Sequence, residues 1–325
     1  MKQYNFDITV AQNTYAGELA LPYVSAAINA AETITKGRCR LIEGITRNAV
    51  INNITSTNPI QAASCSPTDG ANVTLSEQVL TLNDLQVYEE ICRGTVFPTW
   101  VAAQGKMRRD GELPPEFSDF LVSLVAAKAG EQLESLLWQA DAGALWGVGF
   151  LSNDGQIDEA GINASACAGF GQADTGAAAW DKTNIQDALA IVYDQQMSNP
   201  AVANKPGAGF YMSYEAFGFY LQYLAESGAG QGVNMRGTDQ AFAGVTYMGF
   251  PVYPTTGIPN TVDCMVFTYP DNLVVGTNAY TGDTQAKLIP RYQFDGKDDV
   301  VISMNFACGV QTGVAADGTV GFNFA

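Results

Sequence analysis

The chain has 325 residues, 47% of them hydrophobic and only 15% charged. Its 16 basic and 33 acidic side chains give a net charge of −17, which disfavours a protein that grips duplex nucleic acid, since such proteins neutralise phosphates with Lys and Arg. Histidine is absent, so the commonest general base, zinc ligand and physiological pH switch is missing, although carboxylate catalysis stays open.

The first segment, MKQYNFDITVAQNTYAGELALPYVSAA, has no uninterrupted apolar core behind a basic start. It does not read as a signal peptide, and no window approaches a transmembrane span. Leu19, Tyr23, Ala26, Ala27, Ala30 and Ile34 recur near helical spacing, which predicts helix over 16–34 with Pro22 inside it, stopped at Lys36-Gly37. From Gly37 to Gly105 the chain carries no lysine and reads as a long β arm. Its halves, LIEGITRNAVINNI and VTLSEQVLTLNDLQVYEEI, are rich in Val, Ile, Leu and Thr. Between them Pro67, Asp69 and Gly70 mark the distal turn. An arm of this kind buries little core by itself, so it points to contact with another molecule. The candidate contact residues are Ile42, Ile45, Val50, Ile54, Leu80, Leu82 and Val87, with Pro67, Asp69 and Gly70 at the tip.

Pro114-Pro115-Glu116 opens a helix, with Glu116 and Asp119 against the positive end of its dipole. Phe117, Phe120, Leu121, Leu124, Val125, Leu133, Leu136 and Leu137 keep i, i+3, i+4 spacing, which carries the helix to about Ala140. A Gly/Ala-rich stretch over 143–176 reads as loop. A second helix follows from Asn184 to Met197, capped near Thr183, then a short buried strand in GAGFYMS, then a third helix capped by Ser213 and running to about Glu226. The segment SGAGQGVNMRGTDQ is a Gly-rich loop. Beyond Phe242 the pattern is strand and turn: FAGVTYMGFPVYPTT, CMVFTYP, NLVVGTN, KLIPRYQF and VVISMNFACGVQTG. Strands at both ends with helices between them predict an α+β body whose last strands return beside the long helix.

No motif carries chemistry. The Gly-rich loop fits neither phosphate-binding pattern, and SNDGQIDEAG lacks the spacing of a calcium loop and reads as a solvated turn. Glu89-Glu90 and Asp298-Asp299 are adjacent residues that point to opposite faces of a strand, so neither is an acid/base dyad. The aromatic run Phe210, Tyr211, Tyr214, Phe217, Phe219, Tyr220, Tyr223 reads as core or subunit contact, because no basic residues accompany it. The cysteines, Cys39, Cys65, Cys92, Cys167, Cys264 and Cys308, form no CxxC pair. They read as reduced thiols, with one bridge among Cys39, Cys65 and Cys92 as the lesser alternative. The low charge content, against about 25% in ordinary soluble domains, points to surface that ends up against protein. Residues 1–113 hold 9 basic and 11 acidic side chains while 114–325 hold 7 and 22, so the long helix and the α/β part after it carry nearly all the excess negative charge.

The order of these elements resembles the major capsid protein of tailed bacteriophages, the Hong Kong ninety-seven phage capsid fold, along nearly the whole chain. The matching residues are the arm LIEGITRNAVINNI…VTLSEQVLTLNDLQVYEEIC, the helix PPEFSDFLVSLVAAKAGEQLESLLW, the insert NIQDALAIVYDQQM…GFYMSYEAFGFYLQYL, and the end GFPVYPTTGIP…NLVVGTN…DDVVISMNFACGVQTG. The resemblance implies an N-terminal arm over 1–40, an extended β-hairpin E-loop over 41–105, a peripheral domain over 106–180 and 255–325 with a spine helix at 115–140, and an axial domain over 181–254. It implies a structural protein without cofactor or enzymatic activity, whose copies form hexamers and pentamers of an icosahedral shell around double-stranded DNA. The implied partners are the chain itself, a portal, decoration proteins and a separate scaffolding protein or none. DNA would be enclosed without specific binding, no membrane would be involved, and the place would be the virion, assembled in the bacterial host cytoplasm. An encapsulin-like compartment shares the fold. A secreted β-rich adhesin would need an export signal, and a metabolic enzyme would need convergent polar groups.

Some members of that family crosslink an arm lysine to a neighbour's asparagine. Here Lys36 and Lys106 bracket the arm with no lysine between them. Assembled particles boiled in denaturant and reductant should therefore run as a single 34.5 kDa band, and a ladder that survives reduction would refute this.

Overall fold

The longest strand, β15 (Asp299–Thr312), organises the first sheet. The computed structural model describes residues 13–16, 31–57, 65, 72–92, 115–139, 149–151, 157–158, 161–162, 171–175, 179–198, 202–226, 245–260, 263–278, 285–291, 299–314 and 317–323. β5 (Asn83–Cys92) pairs antiparallel with β15 from Cys92↔Asp299 to Asn83↔Cys308. On the other side of β15 lie β14 (Gln285–Pro290) and β13 (Leu273–Thr277), end to end like two halves of one strand. Asn278 keeps the break paired: its N–H donates to the Ala307 carbonyl at 3.2 Å and its Oδ1 accepts from the Ala307 N–H at 2.7 Å. β1 (Asn13–Ala16) lies antiparallel to β14, and β2 (Arg40–Ile42) lies parallel to β13.

The second sheet runs β10 (Thr246–Tyr247), β11 (Phe250–Pro254), β9 (Gly209–Met212), β12 (Cys264–Thr268), β16 (Thr319–Phe322), β8 (Gly171–Asp174). Its central strands, GFYM, CMVFT and TVGF, are buried along their whole length, as apolar runs without alternation require when both faces are covered. Phe210, Met212, Met265 and Phe267 face the helices α3 (Ile185–Met197) and α4 (Tyr214–Glu226), packing on Leu189, Val192, Phe217 and Tyr220. Tyr211, Val266 and Phe322 face the other way, into a core shared with Phe306 and Val310 of β15 and with Leu133, Leu137 and Trp138 of α2 (Pro115–Trp138). That α+β layering matches the sequence reading of a body whose last strands return beside the long helix. β6 (Ile157–Asp158) and β7 (Gly161–Ile162) form a small separate pair within the predicted acidic turn, and β3 (Asn48–Thr57) pairs with β4 (Asn72–Thr81) outside both sheets.

Local expectations need three adjustments. The helix expected over 16–34 begins no earlier than residue 17, because Ala16 is held in β1 by pairing with Gln285. Residues 17–30 lie outside the described residues, and α1 (Glu32–Thr35) ends at Gly37, whose φ of +63° suits glycine. Thr183 does not cap α3: Asn184, the residue before the helix, makes no side-chain cap bond, and Asp181 closes the turn ahead of it. The Asp181 carboxylate accepts from the Thr183 hydroxyl at 2.6 Å, the Thr183 N–H at 2.7 Å and the Asn184 N–H at 3.1 Å, and these bonds hold its carboxyl below the ordinary value. Sheet membership also crosses the boundaries at 181 and 254, since β8, β12 and β16 join β9–β11.

The segment before the arm is clamped by buried polar bonds. The Glu134 carboxylate on α2 accepts from the Thr33 N–H at 2.9 Å, the Thr33 hydroxyl at 2.6 Å, the Thr255 hydroxyl at 2.7 Å and the Trp138 indole at 3.2 Å. Buried Arg38 donates to the Pro254 carbonyl and lies 4.9 Å over the Tyr253 ring, while Tyr211 donates its hydroxyl to the Arg38 carbonyl at 3.2 Å. Burial pushes the Glu32 carboxyl up, but bonds from Lys36, Tyr214 and Thr256 outweigh it and leave its pKa lowered. α2, α4 and the end of β11 are thereby tied to residues 32–38. Glu134→Ala leaves the Thr33 N–H and the Thr33 and Thr255 hydroxyls without their acceptor at a cost of about 1–3 kcal/mol each, while the Trp138 indole keeps the Thr33 hydroxyl at 2.9 Å. The variant should lose about 3 kcal/mol or more in urea unfolding, with Glu134→Gln clearly milder because it keeps one acceptor. An unchanged midpoint for the alanine variant would contradict the clamp.

Candidate assembly surface

Residues 72–92 form one extended run that changes partner at Leu82: β4 pairs with β3, and β5 pairs with β15. At the break the Leu82 N–H donates to the Arg47 carbonyl at 2.9 Å, and the Ile45 N–H donates to the Thr277 carbonyl at 3.2 Å. Ile45, Leu80 and Leu82 pack with Val274 and Ala307. The floor beneath them is a glycine pair, Gly276 opposite Gly309 across β13 and β15. A Cβ on Gly276 would stand 2.6 Å from Leu80 Cδ2 and 2.8 Å from Ile45 Cδ1, and a Cβ on Gly309 would overlap the Thr81 carbonyl oxygen. The two glycines make a socket in which the arm root sits.

Three of the sequence-predicted contact residues, Ile45, Leu80 and Leu82, are therefore buried by their own chain, because the pleat turns them toward the socket. Ile42 is half-buried against the same cluster. The second half of the predicted arm, β5, is a body strand, since its ten residues form a continuous ladder with β15. Pro67, Asp69 and Gly70 lie outside the described residues.

Val50 and Ile54 face outward. They stand opposite Val79 and Leu75, with Asn52 opposite Glu77 between the two apolar pairs. The four apolar side chains are 51–68% exposed. Nothing among the described residues covers them. The opposite face turns to the body, where the Gln311 side chain donates to Gln78 Oε1 at 3.4 Å. Leu75 and Val79 were not singled out as contact residues. Their signal was present in the alternation of VTLSEQVL, but it needed the hairpin register to be read. Completing the burial of four such side chains is worth about 1 kcal/mol each, a reserve that the isolated chain does not use.

A groove lies between β5 and α2. Val87, Glu89 and Ile91 form one wall and Leu124, Lys128 and Ala129 the other, around a volume of about 230 Å³. Leu124 is 43% exposed. Lys128 reaches Glu131 at 2.7 Å, with both side chains largely in solvent. Val87, predicted as a contact residue, is half-buried here. The groove had no sequence signature, since each wall comes from a different segment.

The charged residues of α3 and α4, Asp187, Asp194, Glu215 and Glu226, are all carboxylates and all exposed. Arg40 and Arg47 are exposed beside the arm root. Among the described residues no group of three His, Cys, Asp or Glu side chains could hold a metal ion, and no helix is long and apolar enough to cross a membrane. The described cysteines, Cys39, Cys65, Cys92, Cys264 and Cys308, form no disulfide. Burial pushes Cys39 and Cys308 up to about 12, which makes both poor nucleophiles. Gly309→Ala should cost about 1–3 kcal/mol through overpacking of the socket. Amide exchange should quicken across 75–82 while α3 is unaffected; unchanged exchange at the arm root would refute the socket.

No protein-family model matches the chain, and no curated protein matches it. Solved structures do. The capsid of the native GTA particle aligns with a TM-score of 0.55 at 12% identity, covering 100% of this chain and 95% of that one. A chain from Gordonia phage Cozz aligns at 0.53 and 11% identity, covering 100% and 92%. One from the satellite phage P4 procapsid, a structure that includes the size determination (Sid) protein, aligns at 0.51 and 13% identity, covering 99% and 94%. The alignments cover nearly the whole of both chains, and this chain has the α+β fold of phage capsid proteins.

Proposed function

We propose that this chain is the shell subunit of a phage-like capsid, in which copies form hexamers and pentamers that close an icosahedral shell around double-stranded DNA. The observation that carries this reading is the unpartnered apolar face of the β3–β4 hairpin on a body with a capsid fold. In this reading the hairpin is the E-loop, α2 the spine helix, and the layer of sheet 2 with α3 and α4 the axial domain. Each contact between copies is modest, and a closed symmetric shell engages many at once. The acidic helical layer supports enclosure of DNA without adhesion. The size determination protein in the P4 procapsid structure supports a separate scaffold-like partner, alongside a portal and decoration proteins. Assembly would take place in the host cytoplasm and the product would be the virion.

The purified protein should form capsomers or uniform shells in negative-stain microscopy and light scattering, with or without a co-expressed scaffold. A strictly monomeric 34.5 kDa species in every condition would overturn the reading. Particles that fill with a cargo enzyme instead of DNA would replace it with the compartment alternative.

A further inference from the structure

We propose that the side of α3 facing β10 binds a polyamine, an alkyl chain with an ammonium group at each end. The site goes beyond assembly and does not depend on it. Its centre is Tyr247, which is only 6% exposed and whose hydroxyl makes no hydrogen bond among the described residues. A buried hydroxyl ordinarily has a partner. Neighbouring Tyr220 shows the ordinary case, donating to the Thr246 carbonyl at 3.0 Å. Edge contacts with Phe210 at 5.7 Å, Tyr220 at 6.2 Å and Tyr193 at 6.3 Å fix the Tyr247 ring, so its hydroxyl is held where it stands.

The surroundings of that hydroxyl are rich in acceptors. Burial pushes its pKa up, and the Asp194 and Asp187 carboxylates and the Tyr223 and Tyr193 phenols push it further. None of these neighbours is a cation. Asp187 and Asp194 are both exposed, and no basic residue occurs from Thr183 to Asn204. Lys182, just ahead of them, is taken by Glu226 at 2.5 Å.

The spacing selects the ligand. Asp187 and Asp194 are two turns apart on one face of α3, about 10 Å along its axis. Ala190 stands between them and packs with the core beneath. That face reads charge, methyl, charge, and a polyamine matches it in order. One ammonium meets each carboxylate in a charge-assisted hydrogen bond, with methylenes crossing Ala190. The Tyr247 hydroxyl accepts a further bond from the ammonium. The half-buried Tyr193 and Tyr223 rings add cation–π attraction. A metal ion cannot bridge carboxylates so far apart, and a single ammonium can meet only one of them.

The test titrates the full-length protein with spermidine by calorimetry at fixed ionic strength, beside butylamine and magnesium ion. Spermidine should bind at one site per chain, about tenfold or more tighter than butylamine. Asp187→Asn and Asp194→Asn should each weaken it about fivefold or more, and Tyr247→Phe about threefold. Tyr247→Phe keeps the ring, and both aspartates are exposed, so all three variants should keep the wild-type melting temperature, which separates lost binding from lost folding. Glu77→Gln removes the same charge from exposed β4 and should leave the affinity unchanged. If it weakens binding as much, or if magnesium ion at equal concentration displaces spermidine, the attraction is to the net charge of −17 and the site is overturned. Butylamine binding as tightly as spermidine would rule out the two-ended ligand. Wild-type affinity in either asparagine variant or in Tyr247→Phe would refute the site as well.

Discussion

The exchange of partners at Leu82 is the constraint on which the arm depends. A two-stranded ribbon is marginal in water by itself. Here β4 continues into β5, which is fixed by a ten-residue ladder to β15, so the hairpin inherits its direction from the body without building a core of its own. The exchange is possible because Gly276 and Gly309 leave room for Leu80, Ile45 and Leu82 to sit on the sheet. Side chains at those two glycines would lift the root away from the strand that orients it.

The other half of the anchoring comes from the polar segment before the arm. Thr33, Arg38 and Glu134 are buried, and each has its bonds met by a different element. Such networks are costly when incomplete and specify one arrangement when complete. The arm thus leaves a body whose two sheets and long helix are held in one relative position on either side of its root.

Much of this was legible in sequence, and the failures have physical causes. The long helix, the third helix behind Ser213 and the strand GFYM follow from periodicity and cap chemistry, which are local. The change of partner within the second half of the arm was not legible, because β4 and β5 are both extended and both apolar. Only the distant strand β15 decides which of them belongs to the body. For the same reason Leu80 and Leu82 looked like contact residues: alternation reports a face, and it does not say whether the face is covered by the same chain or by another. The turn that Asp181 closes stands ahead of the helical pattern of α3, so periodicity does not reveal it.

The ladder between β5 and β15 has a mechanical consequence. A pull on the hairpin along its axis is carried by the backbone into β5, whose hydrogen bonds run across the line of pull. The ten paired residues then resist in shear, sharing the load, instead of parting one at a time as in peeling. β14 and β13 support β15 from its other side. A pull transmitted through the hairpin would thus be spread over the centre of a sheet and not concentrated at its rim.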